Sequence, residues 1–336
     1  MFDPLTSPAP LDEFSLIKRY FSPPSKHALL AGGDDCALLK TPSDQVLAVT
    51  TDMLVAGRHF FVNTDAARLG HKALAVNLSD LAAMAAKPYA FTLALSLPAI
   101  DAQWLSAFSQ GMLNLAAQYD CELIGGDTTR GPLTISITAL GHVAANMALR
   151  RDVAQIDDDI WVSGELGDAH LALQALLAES SAIASKIVVK QHELAQIRLR
   201  LEQPQPRVAL GLALRTLAHA AIDISDGLIS DLGHVLARSH CGATIQLAAL
   251  PRSRILAQQS ESLQHMALLA GGDDYELCFT APAKVRHLID ALRVHLDLRL
   301  SRIGKIDQQP GLRLLDHEGK YMATSRFTGF NHFPST

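Results

Sequence analysis

The sequence predicts an α/β protein of two domains, on three observations. At 336 residues it is longer than one compact core of ordinary size requires. Apolar, β-branched runs such as VLAVTTD (46–52) alternate with stretches of helical periodicity. Between Ala144 and Asp159 the apolar pattern lapses into ANMALRRDVAQIDDD, which divides the chain into residues 1–145 and 146–336.

LDEFSLIKRYF, residues 11 to 21, has the pattern of a short amphipathic helix, ended by Pro23 and Pro24. AGGDDCALLK then places Asp34 and Asp35 on a glycine-containing turn, with Asp34 the weaker site candidate. VLAVTTD reads as a buried strand ending in Thr50, Thr51 and Asp52, the end of a strand where ligands bind in mixed folds. From Asp65 to Ala86 one helix is expected, capped by Thr64 or Asp65 and closed by Lys87 and Pro88. It is apolar nearly all round and should be buried, yet Asp80 lies on one of its stripes, with Asn77 one turn before. A lone ionised carboxylate there is costly unless it is paired or metal-bound.

A strand (90–97), a helix (101–118) and the stretch ELIGGDTTRG follow, where Gly125 and Gly126 would let the backbone approach a ligand faced by Asp127. The strand from Leu133 to Val143 would close the first domain. In the second, IWVSGELGDAH reads strand, turn and helix start, and residues 178 to 207 read as polar helix broken by Pro204 and Pro206. In AAIDISDGLISDLGHVL, Ile222 and Ile224 point one way and Asp223 and Ser225 the other. Asp226 and Gly227 turn the chain into a helix on which Asp231 and His234 belong to a solvated face. GGDDYELCF, from Gly271, precedes a strand and echoes residues 32 to 35.

Composition narrows the function. Net charge is −5 without a Lys/Arg run, so nothing favours nucleic acid or an anionic membrane as partner. MFDPLTSPAP lacks a basic patch followed by an apolar core, and no apolar run approaches a membrane span, so a cytoplasmic location is expected. Cys36, Cys121, Cys241 and Cys278 are far apart without a CxxC pair, which argues for buried hydrophobes over zinc or disulfides. Asp35, Asp52, Asp80, Asp127, Asp223 and Asp226 each fall at a turn, a strand end or a buried helix face. Hard oxygens without Cys or His suit Mg²⁺, and converging carboxylates that must also accept phosphate require several such ions. That is the setting of phosphoryl transfer, although no GxxxxGK[ST], HRD/DFG or GxGxxG word is present.

GGDDCA, TTD followed by Gly57 and His59, NLSDLAAM, IGGDTTRG, IDISDGLISDLGH and GGDDYELCF occur in the order and spacing of bacterial thiamine-monophosphate kinase, which the chain resembles from about Glu13 to GFNHF. The resemblance implies an N-terminal domain with a mixed sheet that forms a homodimer and a C-terminal α/β domain, the fold shared with aminoimidazole ribonucleotide synthetase. It implies direct transfer of the ATP γ-phosphoryl group to thiamine monophosphate. By position it implies metal ligands at Asp35, Thr50, Thr51, Asp52, Asp80, Asp127, Asp223 and Asp226, with Asp80, Asp127 and Asp226 central to catalysis. Nucleotide contacts fall on Gly126, Asp127, Arg151 and Ser225, with Arg150 a rival to Arg151, and substrate contacts on His59, Asp273 and Phe327. The family usually has Gly at Ala31, Glu at Asp273, Trp at Phe327 and a Gly-x-x-Pro-Gly-Asp turn after Arg151, where this chain has DVAQIDDD. Taken alone, His59 also reads as a surface imidazole and Phe327 as core. Three alternatives share the acids: another ATP-using synthetase of this fold, an Mg-dependent phosphatase and a non-catalytic Mg-ATP-binding regulator.

Overall fold

The computed structural model describes residues 13–31, 36–179, 187–325, 327 and 329. After a short helix α1 (Glu13–Tyr20), the first region runs β1 (Val46–Val55), α2 (Ala66–Ala83), β2 (Lys87–Leu97), α3 (Ala102–Gln118), β3 (Glu122–Arg130) and β4 (Thr134–Val143). Its four strands form one mixed sheet in the order β1-β4-β2-β3, in which only β2 and β3 are parallel, joined over α3. The second region runs β5 (Asp159–Ser163), α4 (Asp168–Glu179), α5 (Gln191–Glu202), α6 (Val208–Leu214), β6 (Ala220–Asp223), α7 (Leu228–Arg238) and β7 (Gly242–Gln246). It continues with α8 (Arg254–Ala257), α9 (Glu261–Ala270), β8 (Leu277–Ala281), α10 (Arg286–His295), β9 (Leu300–Asp307), β10 (Gly311–Leu315) and β11 (Tyr321–Met322). Its seven strands form a second mixed sheet, β11-β10-β7-β9-β5-β8-β6.

α2 lies between the two regions. It packs on α3, β1 and β4 on one side and on α5, α6 and β6 on the other. A helix apolar all round therefore finds apolar surface all round, and Leu74, Leu78 and Leu81 are fully enclosed. Asp65 caps it, its Oδ1 accepting from the Arg68 N–H at 3.0 Å. The stop comes before Lys87 and Pro88, which already belong to β2. Ala85 takes a left-handed φ of 54°, Ala85 N donates to Ala82 O, and Ala86 N donates to Leu81 O at 2.8 Å. This is the Schellman arrangement, closed on an alanine rather than the usual glycine. The crossing with α3 is tight because Gly111 faces α2, and a Cβ there would fall 1.9 Å from Ala67 O.

β1 differs from the buried strand expected. It is an edge strand, and Val49 (60% exposed) and Met53 (57%) stand open on the face turned away from α2. Edge and central strands can carry the same apolar letters, so the run by itself did not distinguish them. Of the cysteines, Cys121, Cys241 and Cys278 are buried as expected, while Cys36 is exposed. No helix among the described residues is long and apolar enough to cross a membrane.

Candidate active site between the two sheets

The NLSD segment of α2 reaches both sheets. Asn77, fully buried, accepts the Asp52 N–H on Oδ1 at 3.2 Å and returns its own amide to Ala73 O at 3.1 Å. Asp80 accepts a hydrogen bond from the Thr50 hydroxyl on β1. Ser79, on the other flank, donates to Asp223 Oδ2 at the end of β6, at 2.8 Å. Strand alternation puts Thr50 and Asp52 on the α2 face of β1, so Thr50, Asp52, Asp80 and Asp223 meet there.

Burial followed by the charge of Asp80 pushes the Asp52 carboxyl up to about 7. The same two causes take Asp223 up to about 8, against the Ser79 hydrogen bond and Arg151. Asp80 is itself raised by burial, opposed by the Thr50 hydroxyl and then Arg151. These carboxylates cannot all ionise together without added positive charge. Arg151 reaches both acids electrostatically, whereas Arg150 is turned to Asp152, its Nε donating to Asp152 Oδ1 at 2.9 Å. Above them opens a cleft of about 540 Å³, floored by Asp80 and Thr50, with Arg151, the Arg150–Asp152 pair, His234 and Arg238 on its wall and Ala48, Met84 and Ala221 supplying apolar surface.

The turn after β6 is built by Asp231. Its Oδ2 accepts the backbone N–H groups of Ser225, Asp226 and Gly227, each at 3.1 Å. It is buried, not part of a solvated face, because it turns back onto the start of its own helix. Burial and then Asp226 push it up to about 7. The 271–276 loop sits on this turn, with Asp273 N donating to Ser225 O at 2.9 Å and Tyr275 N to Ile224 O at 2.8 Å. Asp273 accepts on Oδ1 from Lys72 Nζ of α2 at 2.7 Å and from the Tyr275 hydroxyl at 3.3 Å. Asp274 faces the interior and accepts the Gly167 N–H at 2.9 Å, while Glu276 is held by Ser163, Arg200 and Arg207. The loop thus presents Asp273 while its neighbours anchor it.

Other expected residues lie apart. Thr51 bonds Thr138 Oγ1 at 2.8 Å on the face of the first sheet away from α2. Asp127 is in register with exposed Ala94 on that same face, its Oδ1 accepting from Thr128 N at 2.9 Å. Gly126 is required by strand packing, since a Cβ would fall 1.9 Å from Leu93 O. His59 accepts the Val55 N–H on Nδ1 at 3.0 Å, which places the proton of the neutral ring on Nε2. Phe327 is buried in the core of the second sheet, and Gly329 beside it comes against Ser230 and Asp226. Asp35 and Asp34 lie outside the described residues.

Known proteins bear on the whole chain. Residues 33–143 match the family model for the N-terminal domain of AIR synthase related protein, and residues 155–317 the model for its C-terminal domain. The thiamine-monophosphate kinase of Haemophilus influenzae is 45% identical over 330 residues, covering 96% of this chain and 98% of that protein. The chain belongs to the thiamine-monophosphate kinase family. As a member of that family it is a phosphotransferase. The crystal structure of thiamine-monophosphate kinase from Stenotrophomonas maltophilia superposes with a TM-score of 0.81 at 49% identity, covering 88% of this chain and 92% of that one. AaThiL complexed with AMPPCP and TMP superposes at 0.74 with 29% identity, over 88% and 89% of the two chains.

Within this kinase family member, sequence reasoning passed over Ser79, Lys72 and Tyr275. Ser79 stood inside the most specific motif, and the signal was its place beside Asp80 on a helix with no polar side. Lys72 carried a comparable signal, a single ammonium on a helix expected to be buried. Nothing in the sequence tied Tyr275 to Asp273 beyond proximity.

Proposed function

We propose that the chain transfers the γ-phosphoryl group of ATP to the phosphate of thiamine monophosphate, giving thiamine diphosphate. The observation that carries this reading is the clustering of Asp52 and Asp223 around Asp80, which itself floors the cleft opposite Arg151. The names of the relatives, and the AMPPCP and TMP in the AaThiL complex, support the same pair of substrates.

Mg²⁺ fits the donor set. The donors are oxygens, and the carboxylates stay partly protonated unless a cation replaces their protons. Among the described residues no three His, Cys, Asp or Glu side chains form a closed cage for one ion. Mg²⁺ is commonly held by one or two carboxylates, with phosphate oxygens and water completing its shell. Asp80 with Asp52, and Asp80 with Asp223, would each hold an ion as a pair of carboxylates, with Asp226, Thr50 and Asp35 among the further ligands that the family resemblance implies. When bound, it supplies charge neutralisation between the acids and the phosphates.

The protein's own groups have defined tasks. Arg151 would offset phosphate charge from the cleft wall, and Ser225 and Gly126 are the nucleotide contacts that the family resemblance adds. Asp273 and His59 would take the vitamin half, while Phe327 contributes from within the core. The acceptor phosphate has a second pKa of about 6, so it arrives largely as a dianion and needs no general base. Catalysis is then alignment of the two phosphates with charge compensation.

The sheet face bearing Val49, Met53, Thr51 and Asp127 is the surface through which a homodimer would form. The division near residue 145 separates the sheet that ends at Val143 from the one that begins at Asp159. A cytoplasmic location goes with ATP as co-substrate.

The test is to incubate the protein with Mg-ATP and thiamine monophosphate and separate the products by chromatography. Thiamine diphosphate formed in step with ADP is the expected result. ADP and free phosphate without thiamine diphosphate would overturn it.

A further inference from the structure

Lys72 is a buried ammonium on an apolar helix, its side chain 4% exposed, and such a group is costly to enclose without a purpose. Among the described residues, the partner seen for Nζ is Asp273 Oδ1, at 2.7 Å. The Tyr275 hydroxyl donates to the same oxygen at 3.3 Å. Oδ1 is therefore taken twice, while among the described residues Oδ2 has no hydrogen-bond donor, and the carboxylate is 31% exposed. Asp273 and Tyr275 both have left-handed backbones, φ 64° and 51°, an uncommon conformation for a bulky aromatic residue. Their N–H groups are pinned to Ser225 O and Ile224 O. Backbone strain, a buried cation and a phenol converge on fixing one carboxylate oxygen.

We infer that Lys72, seconded by Tyr275, is a positioning residue for substrate selection: it locks Asp273 so that Oδ2 faces the site as the acceptor for the amino group of the substrate's pyrimidine. The inference rests on the proposed function, because it takes thiamine monophosphate as the acceptor substrate. His170, a second nitrogen base close to Asp273, is pushed toward its neutral form by burial against the pull of Asp273, so among the described residues the ion pair falls to Lys72. A site built to accept from an N–H rejects an analogue lacking it, since the oriented acceptor is then left unpaired. Without the ammonium, Asp273 loses both its counter-charge and its fixed rotamer, and the discrimination should go with them.

The experiment compares thiamine monophosphate with its analogue lacking the pyrimidine amino group, in wild type, Lys72→Met and Tyr275→Phe. Wild type should prefer the amino substrate. In Lys72→Met, KM for thiamine monophosphate should rise about tenfold or more, KM for ATP should stay within about twofold, and the preference for the amino substrate should largely vanish. Tyr275→Phe, which keeps the ring in place, should move both readouts the same way by a smaller factor, and it decides the matter if Lys72→Met does not fold. Wild-type turnover with the preference intact in the folded variants overturns this inference alone. A wild type that makes no thiamine diphosphate overturns the proposed function and this inference with it.

Discussion

Ser79 on α2 donates its hydroxyl to Asp223 Oδ2 on β6 across 2.8 Å, a bond between residues 144 apart in sequence. One position later, Asp80 is bonded by Thr50 on β1. Adjacent residues of one helix are thus tied to a strand of each region, Ser79 to β6 and Asp80 to β1. Ser79→Ala should leave Asp223 buried without its donor, at a cost of about 1–3 kcal/mol for a buried polar group left unsatisfied. The expected outcome is a lower melting temperature together with a weaker apparent affinity for Mg²⁺ in the turnover assay, read by thermal melts and a metal titration.

The two arginines at positions 150 and 151 should separate cleanly. Arg151→Ala removes the positive charge felt by Asp80 and Asp223, and KM for ATP should rise about tenfold or more. Arg150 is exposed and engaged with Asp152, so Arg150→Ala should change the same constant by less than about threefold. Steady-state kinetics on the two variants gives the comparison directly.

Metal-free protein should lose stability as pH rises. Asp52 and Asp223 titrate from 3.8 in the ordinary carboxyl to about 7 and about 8 in the fold. Between those limits the unfolded chain gives up its protons first while the fold retains them, so folding becomes less favourable with each step toward pH 8. Melts in chelator from pH 4 to 8 should show this decline. Added Mg²⁺ should reverse it most strongly at the upper end, because it takes the place of the protons. Asp80→Asn removes a repelling neighbour and should flatten the chelator curve, while turnover falls by about 100-fold or more.

Gly111→Ala tests whether the α2–α3 crossing sets the site. The new Cβ would meet Ala67 O at 1.9 Å, so the helices must part. An overpacked crossing of this kind costs about 1–3 kcal/mol. The melting temperature should drop by several degrees, and kcat should fall although no residue facing the cleft has changed.

Much of this was legible in the letters. Thr64 or Asp65 announced the start of α2, with Asp65 proving to be the cap, and an all-apolar helix interrupted by Asn77 and Asp80 announced a buried polar site. What the letters hid was direction. A strand ending in Thr50, Thr51 and Asp52 does not say which residue turns to the helix, and in the fold Thr51 turns away beside Thr138. The apolar run of β1 reads as buried whether a second layer covers it or not. Asp231 looked like any acid in the first turn of a helix, and only the path of residues 225–227 makes it the acceptor for three backbone N–H groups. Lys72 and Asp273 are 201 residues apart, so their pairing belongs to the packing of two regions and to no local pattern.

α2 carries Lys72 at one station and Asp80 at another, eight residues on. At 1.5 Å per residue these stations are about 12 Å apart along the axis. Under the proposed seating, the ring end of the acceptor is registered at the first and its phosphate at the second, so the helix works as a gauge block between them. A rigid gauge measures length as well as chemistry. An alcohol one phosphate shorter, seated by the same ring, ends short of the carboxylates, which gives a geometric reason for a phosphate rather than a hydroxyl to be the group that receives.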